Sequence, residues 1–152
     1  MTEILIIGVG NTLRGDDGIG MVLVEHLAEQ PVERGVRVLP VRQLTPELAL
    51  DVSQARAVVF VDAAVDVGPG EVVESIMTAD AQASLTGHHL GPGSLLALAQ
   101  ALYGRCPWAR LVRIGITQTA LGRGLSPELT AKVPVLVRQV QALARALSCG
   151  GV

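Results

Sequence analysis

Aromatic residues are nearly absent from this chain, at 2% of 152 residues, although 49% are hydrophobic. Its core must therefore be built from Val, Leu, Ile and Ala, side chains that suit a parallel sheet buried under helices on both faces. Cysteine is as scarce. Cys106 and Cys149 stand far apart with no CxxC spacing, which excludes a disulfide framework and a zinc knuckle and leaves two free thiols of a reducing compartment. The net charge is only -2, with no long run of one sign. A nucleic acid or an anionic membrane surface as partner would need a basic patch that is not there. No apolar run reaches the ~18 residues of a membrane span, and no basic segment followed by an apolar signal core opens the sequence. A soluble cytoplasmic protein of one domain, 1–152, is expected, long enough to bury one sizeable core.

What is present has a clear order. Ile4-Leu5-Ile6-Ile7 is a continuous apolar run stopped by Gly8, too short for a helix, and reads as a strand buried on both faces. A helical pattern follows from Asp17, with Ile19, Val22, Leu23 and Leu27 on one face. Val36–Val41 reads as a second strand. Thr45-Pro46-Glu47 opens a helix with a hydroxyl cap and proline in the first turn. Ala57–Val61 is a third strand, with Asp62 at its C-terminal end. This alternation predicts parallel pairing through right-handed crossovers. Glu71–Ile76 follows a link too short for a crossover helix, so it is expected antiparallel to a neighbour or at an edge. Ser94–Leu102 reads as a helix and Ala109–Ile116 as the last strand. Ser126-Pro127-Glu128 starts a final helix that Pro134 should kink or split.

Chemistry concentrates in Gly8-Val9-Gly10-Asn11-Thr12-Leu13-Arg14-Gly15-Asp16-Asp17-Gly18-Ile19-Gly20. It sits where a dinucleotide loop would lie. However, Leu13 replaces the required glycine, and two carboxylates at the helix start would repel a pyrophosphate. One aspartate, most naturally Asp17, can cap the first helix. Asp16 is then left beside a glycine loop at the carboxyl edge of a parallel sheet, where ligand sites of open α/β sheets form. Asp62 ends another strand at that edge. Of three histidines, His26 falls in the first helix beside its apolar face, and His88 and His89 lie in a loop before a helix. Two carboxylates and one imidazole can hold a divalent first-row metal with open positions. No HExxH pair and no GxSxG elbow is present.

With those residues in place, the sequence resembles the [NiFe]-hydrogenase maturation endopeptidases. Gly8-x-Gly10-Asn11-x-Leu13-x-x-Asp16-Asp17-Gly18-x-Gly20 is similar to their N-terminal signature. Phe60-Val61-Asp62-Ala63 is similar to their second acidic site, and His88-x-Leu90-Gly91 to their histidine segment. Ile114-Gly115-Ile116-x-Gln118 and Leu125-Ser126-Pro127 match the C-terminal part. The resemblance implies an α/β/α sandwich around a mostly parallel twisted sheet of about five strands. It implies removal of a C-terminal extension from a hydrogenase large-subunit precursor after nickel insertion. It further implies Asp16, Asp62 and His88 as metal-contacting residues; they are expected to be catalytic as well, with nickel carried by the substrate. His89 leaves the histidine ambiguous by one position. Gln43-Leu44-Thr45-Pro46 and Thr119 depart from the family pattern, so loops 41–46 and 117–124 are where substrate choice is expected. A monomer is expected. Two other classes fit less well: a nucleoside hydrolase or phosphorylase-like enzyme, which needs a phosphate or ribose site, and a non-catalytic nickel-sensing adaptor.

Overall fold

The computed structural model describes residues 2–31, 33–80, 90–117 and 124–149. Five strands form one sheet: β1 (Thr2–Val9), β2 (Val36–Val41), β3 (Ala55–Ala64), β4 (Val72–Met77) and β5 (Trp108–Gly115), in the order β2-β1-β3-β5-β4. The pairs β1–β2, β1–β3 and β3–β5 are parallel, and β4 runs antiparallel to β5 at the edge. The short link after β3 explains the exception, since a parallel return needs a crossover it cannot hold. The helices are α1 (Ile19–Glu29), α2 (Leu48–Ser53), α3 (Pro92–Tyr103) and α4 (Pro127–Ser148).

Strand alternation sorts the core into two layers. Ile4, Ile6, Val59, Val61 and Ile114 pack with Leu23 and Leu27 of α1 and with Val133, Leu136 and Val140 of α4. Leu5, Ile7, Val58 and Phe60 pack on the other face with Val52 of α2 and Leu95 and Ala99 of α3. This is the expected α/β/α sandwich. Burying apolar area on both faces stabilises it by roughly 25 cal/mol per Å², and the apolar side chains of β1 and β3 are almost wholly removed from water.

Two expectations are corrected. The first helix does not begin at Asp17. Residues Thr12–Gly18 form an irregular 3-10 segment, and α1 starts at Ile19 with Gly18 as its cap residue and no side-chain cap bond. Asp17 therefore does not cap α1. Of the kink or split expected at Pro134, the split does not occur, because α4 runs unbroken across it for 22 residues. Pro134 is exposed, so the carbonyl it deprives of a partner, that of Thr130, can turn to water.

No helix among the described residues is long and apolar enough to cross a membrane. Both cysteines are free and exposed.

Candidate active site

The glycine loop is shaped by contact with the sheet. Gly10 donates its N–H to Val41 O at 3.0 Å, which holds the end of β1 against β2. Asn11 then begins the 3-10 segment, its side chain accepting from the Leu13 N–H at 3.0 Å. The segment is broken at Gly15, whose φ of 61° and ψ of -128° suit only glycine. That break lets Asp16 and Asp17, adjacent in sequence, serve different neighbours.

Asp16 turns inward. It is 1% exposed, and both of its carboxylate oxygens accept from one residue. The Ser126 N–H lies 2.6 Å from Oδ1, and the Ser126 hydroxyl lies 3.0 Å from Oδ2. Ser126 is the cap of α4, its Oγ accepting from the Leu129 N–H at 3.3 Å. The positive end of the α4 dipole and two charge-assisted hydrogen bonds thus accommodate a carboxylate out of water. The sequence marked Ser126 only as a helix start. Nothing local to either residue announces their pairing, which spans 110 positions.

Asp17 is half-buried and accepts weakly from the Asn11 N–H at 3.3 Å. Its charge acts on Asp62. Asp62 lies near the end of β3 in the alternation of Val58 and Phe60, hence on the α2–α3 side of the sheet. Burial pushes its carboxyl from 3.8 up to about 6, the bonded Ala63 N–H pulls it down, the Asp17 charge raises it, and Arg113 lowers it. The Ala63 N–H reaches Asp62 Oδ1 at 2.8 Å. Arg113 is the parallel register partner of Asp62 on β5, and its guanidinium is paired with Asp66. The structure therefore couples Asp62 to Asp17 and binds Asp16 to the start of α4.

His88 and His89 lie outside the described residues, as does Gln118. The flanks of the histidine segment are tied together, Asp80 N–H donating to Gly93 O at 2.9 Å. His26 is exposed, its Nδ1 2.8 Å from Val22 O of its own helix, a boundary position. Among the described residues no three His, Cys, Asp or Glu side chains gather to hold a metal. Beside the Asp16–Ser126 contact a cavity of about 270 Å³ opens between the link after β3, the end of β5 and α4; its lining includes Gly70, Gly115, Thr117 and Lys132.

An open α/β/α sandwich with carboxylates after β1 and near the carboxyl end of β3 is the class these observations define. Within that class the structure matches those of several [NiFe]-hydrogenase maturation proteases, which bears out the resemblance read from the glycine loop. It is similar to the hydrogenase maturating endopeptidase HybD from E. coli, with 27% identity, 94% of this chain and 92% of that one covered, and a TM-score of 0.75. It is similar to the [NiFe] hydrogenase maturation protease HybD from Thermococcus kodakarensis, with 29% identity, 93% and 99% covered, and a TM-score of 0.70. An endopeptidase from Escherichia coli known in solution matches at 26% identity, with 99% and 94% covered and a TM-score of 0.74. No protein-family model and no curated protein sequence matches the chain. The likeness supports a place in the maturation protease family and a general endopeptidase role.

Proposed function

We propose that this chain is an endopeptidase that removes the C-terminal extension of a [NiFe]-hydrogenase large-subunit precursor, and does so after nickel has entered the precursor. It would act as one domain over 1–152, as a cytoplasmic monomer. The observation that carries the reading is the fold, shared over more than nine-tenths of the chain with endopeptidases of that name, with Asp16 and Asp17 in the loop after β1 and Asp62 near the end of β3.

The chemistry follows from that arrangement. A carboxylate buried beside a second negative charge, as Asp62 is beside that of Asp17, is relieved by a divalent cation, and oxygen donors with an imidazole suit a first-row metal. Asp17 and Asp62, with His88, form the set we place against the nickel that the substrate brings. Asp16 was expected in that set. Its two oxygens are occupied by Ser126, which favours Asp17 for the metal-facing place. Should nickel only position the peptide, Asp62, whose carboxyl is raised to about 6 in the metal-free protein, suits a general base instead. In that role it takes a proton from the attacking water and returns it to the departing amine, so that water is consumed and the peptide bond is cleaved.

The test uses one precursor in metal-free and nickel-loaded forms, at equal enzyme and fixed pH. Cleavage of the loaded form alone is expected. Equal cleavage of both would end the nickel reading while leaving an endopeptidase. Binding without cleavage would leave only a nickel-sensing adaptor.

A further inference from the structure

A side chain as deeply buried as Asp16 demands an explanation, because burying a polar group costs free energy unless it is hydrogen-bonded. Here the two oxygens are used by a single residue, and by both donors that residue owns. The bond therefore fixes Ser126 in position and orientation, in the way a bidentate contact does. On one side of it stands Asp17, the next residue of the chain, whose charge reaches Asp62. On the other stands the start of α4, which ends the 117–124 stretch expected to meet substrate. The cavity of about 270 Å³ is walled by both partners, Asp16 and Ser126.

We infer that Asp16 is a positioning residue. It clamps the acidic loop to the first turn of α4 and so sets both the placement of Asp17, the next residue of that loop, and the separation of the cavity walls. The inference rests on the proposed endopeptidase reading, in which Asp17 and Asp62 meet the substrate. It separates the two aspartates by function: Asp17 acts on substrate, and Asp16 acts only through Ser126 and Asp17.

The conservative variant distinguishes clamp from ligand. In Asp16→Asn the amide oxygen still accepts from the Ser126 N–H, and the amide N–H₂ can donate to Ser126 Oγ. Asp16→Asn should keep kcat within about threefold, while Asp16→Ala should lower kcat by about tenfold to a hundredfold with KM little changed, as misplacement of a reacting group does. Asp16→Ala combined with Ser126→Ala should be no slower than Asp16→Ala alone, because both changes break one contact. A readout independent of substrate is the Ser126 amide proton. In the wild type it should resonate far downfield and exchange slowly, and Asp16→Ala should abolish both properties. If Asp16→Ala folds poorly, Asp16→Asn and Ser126→Ala carry the comparison. Loss of cleavage in Asp16→Asn as complete as in Asp62→Ala overturns the clamp and makes Asp16 a reacting group. An unchanged Ser126 amide in Asp16→Ala overturns it as well. If instead the wild type cleaves no precursor, the endopeptidase reading has failed, and the amide signal still decides whether the tie exists.

Discussion

Gly20, in the first turn of α1, lies against Val61 of β3 so closely that a Cβ built on it would stand 2.3 Å from the Val61 carbonyl oxygen and equally close to that of Val9. The helix start thus rests directly on the ends of two central strands. This contact, and not phosphate binding, accounts for glycine at this position of the signature. Gly20→Ala should force α1 off the sheet and destabilise the fold by about 2–3 kcal/mol, the upper part of the range for overpacking a dense interior. At ~2–4 °C per kcal/mol for a chain of this size, the melting temperature should fall by about 5–10 °C. Gly124→Ala is the control, since a Cβ there meets nothing within 4 Å. Equal melting of the two variants would contradict the contact.

Asp62 makes the folded protein less stable as pH rises. Its carboxyl is pushed up from 3.8 to about 6, chiefly by burial. Between those values the folded state holds a proton that the unfolded state has released, so stability declines with pH across that interval. The protonated form's contribution is complete below 3.8 and is lost as pH rises through about 6. The shift corresponds to ~3 kcal/mol at most. Asp62→Asn, neutral throughout and still able to accept from the Ala63 N–H, should melt about 5–10 °C above the wild type at pH 7.5. Near pH 4 the two should converge. Thermal melts at both pH values check this, and a constant difference between them would place the effect in packing instead of charge.

The fold was legible because its signals are local. Ile4–Ile7 and Ala57–Val61 read as buried strands from the apolar runs alone, and both lie inside observed strands. The antiparallel edge place of β4 followed from the shortness of the link before it. The site was legible only as a region. Asp16 and Asp17 are neighbours in sequence, and their division of labour is set by the backbone reversal at Gly15 and by a serine 110 positions from Asp16. Neither leaves a local pattern. The capping expected of Asp17 failed for a related reason: capping propensity assumes a regular helix start, and a 3-10 segment held by close glycine contacts takes its place.

Pro134 sits in the middle of α4 without ending it. A proline there forfeits a backbone hydrogen bond and crowds the preceding turn, at a cost near 3 kcal/mol in a helix interior. Its exposure lets water satisfy the freed carbonyl, which offsets part of that cost. Pro134→Ala should therefore raise stability by about 1–2 kcal/mol in urea unfolding, with an unchanged slope. No gain would mean that the groove between α1 and α4, which Pro134 lines with Val22, Leu125 and Val137, depends on the proline ring.

Asp17 and Arg113 press on Asp62 from opposite directions, one raising its pKa and the other lowering it. The two can be separated by titrating the Asp62 carboxyl carbon by NMR in single variants. Asp17→Asn removes a like charge, so the Asp62 midpoint should move down from about 6. Arg113→Gln removes an opposite charge, and the midpoint should move up. Both variants should also change cleavage, but unequally. If Asp17 meets the substrate's nickel, Asp17→Asn should slow cleavage by more than about a hundredfold, because an amide is a poor replacement for an anionic ligand. Arg113→Gln should chiefly shift the acid limb of the rate–pH profile upward, since it alters the protonation of Asp62 and removes no donor from the site. A downward shift of Asp62 in Asp17→Asn together with undiminished cleavage would confirm the electrostatic coupling and remove Asp17 from the reacting set. Cleavage lost with no change in the Asp62 midpoint would do the opposite: it would keep Asp17 in that set and refute its electrostatic effect on Asp62.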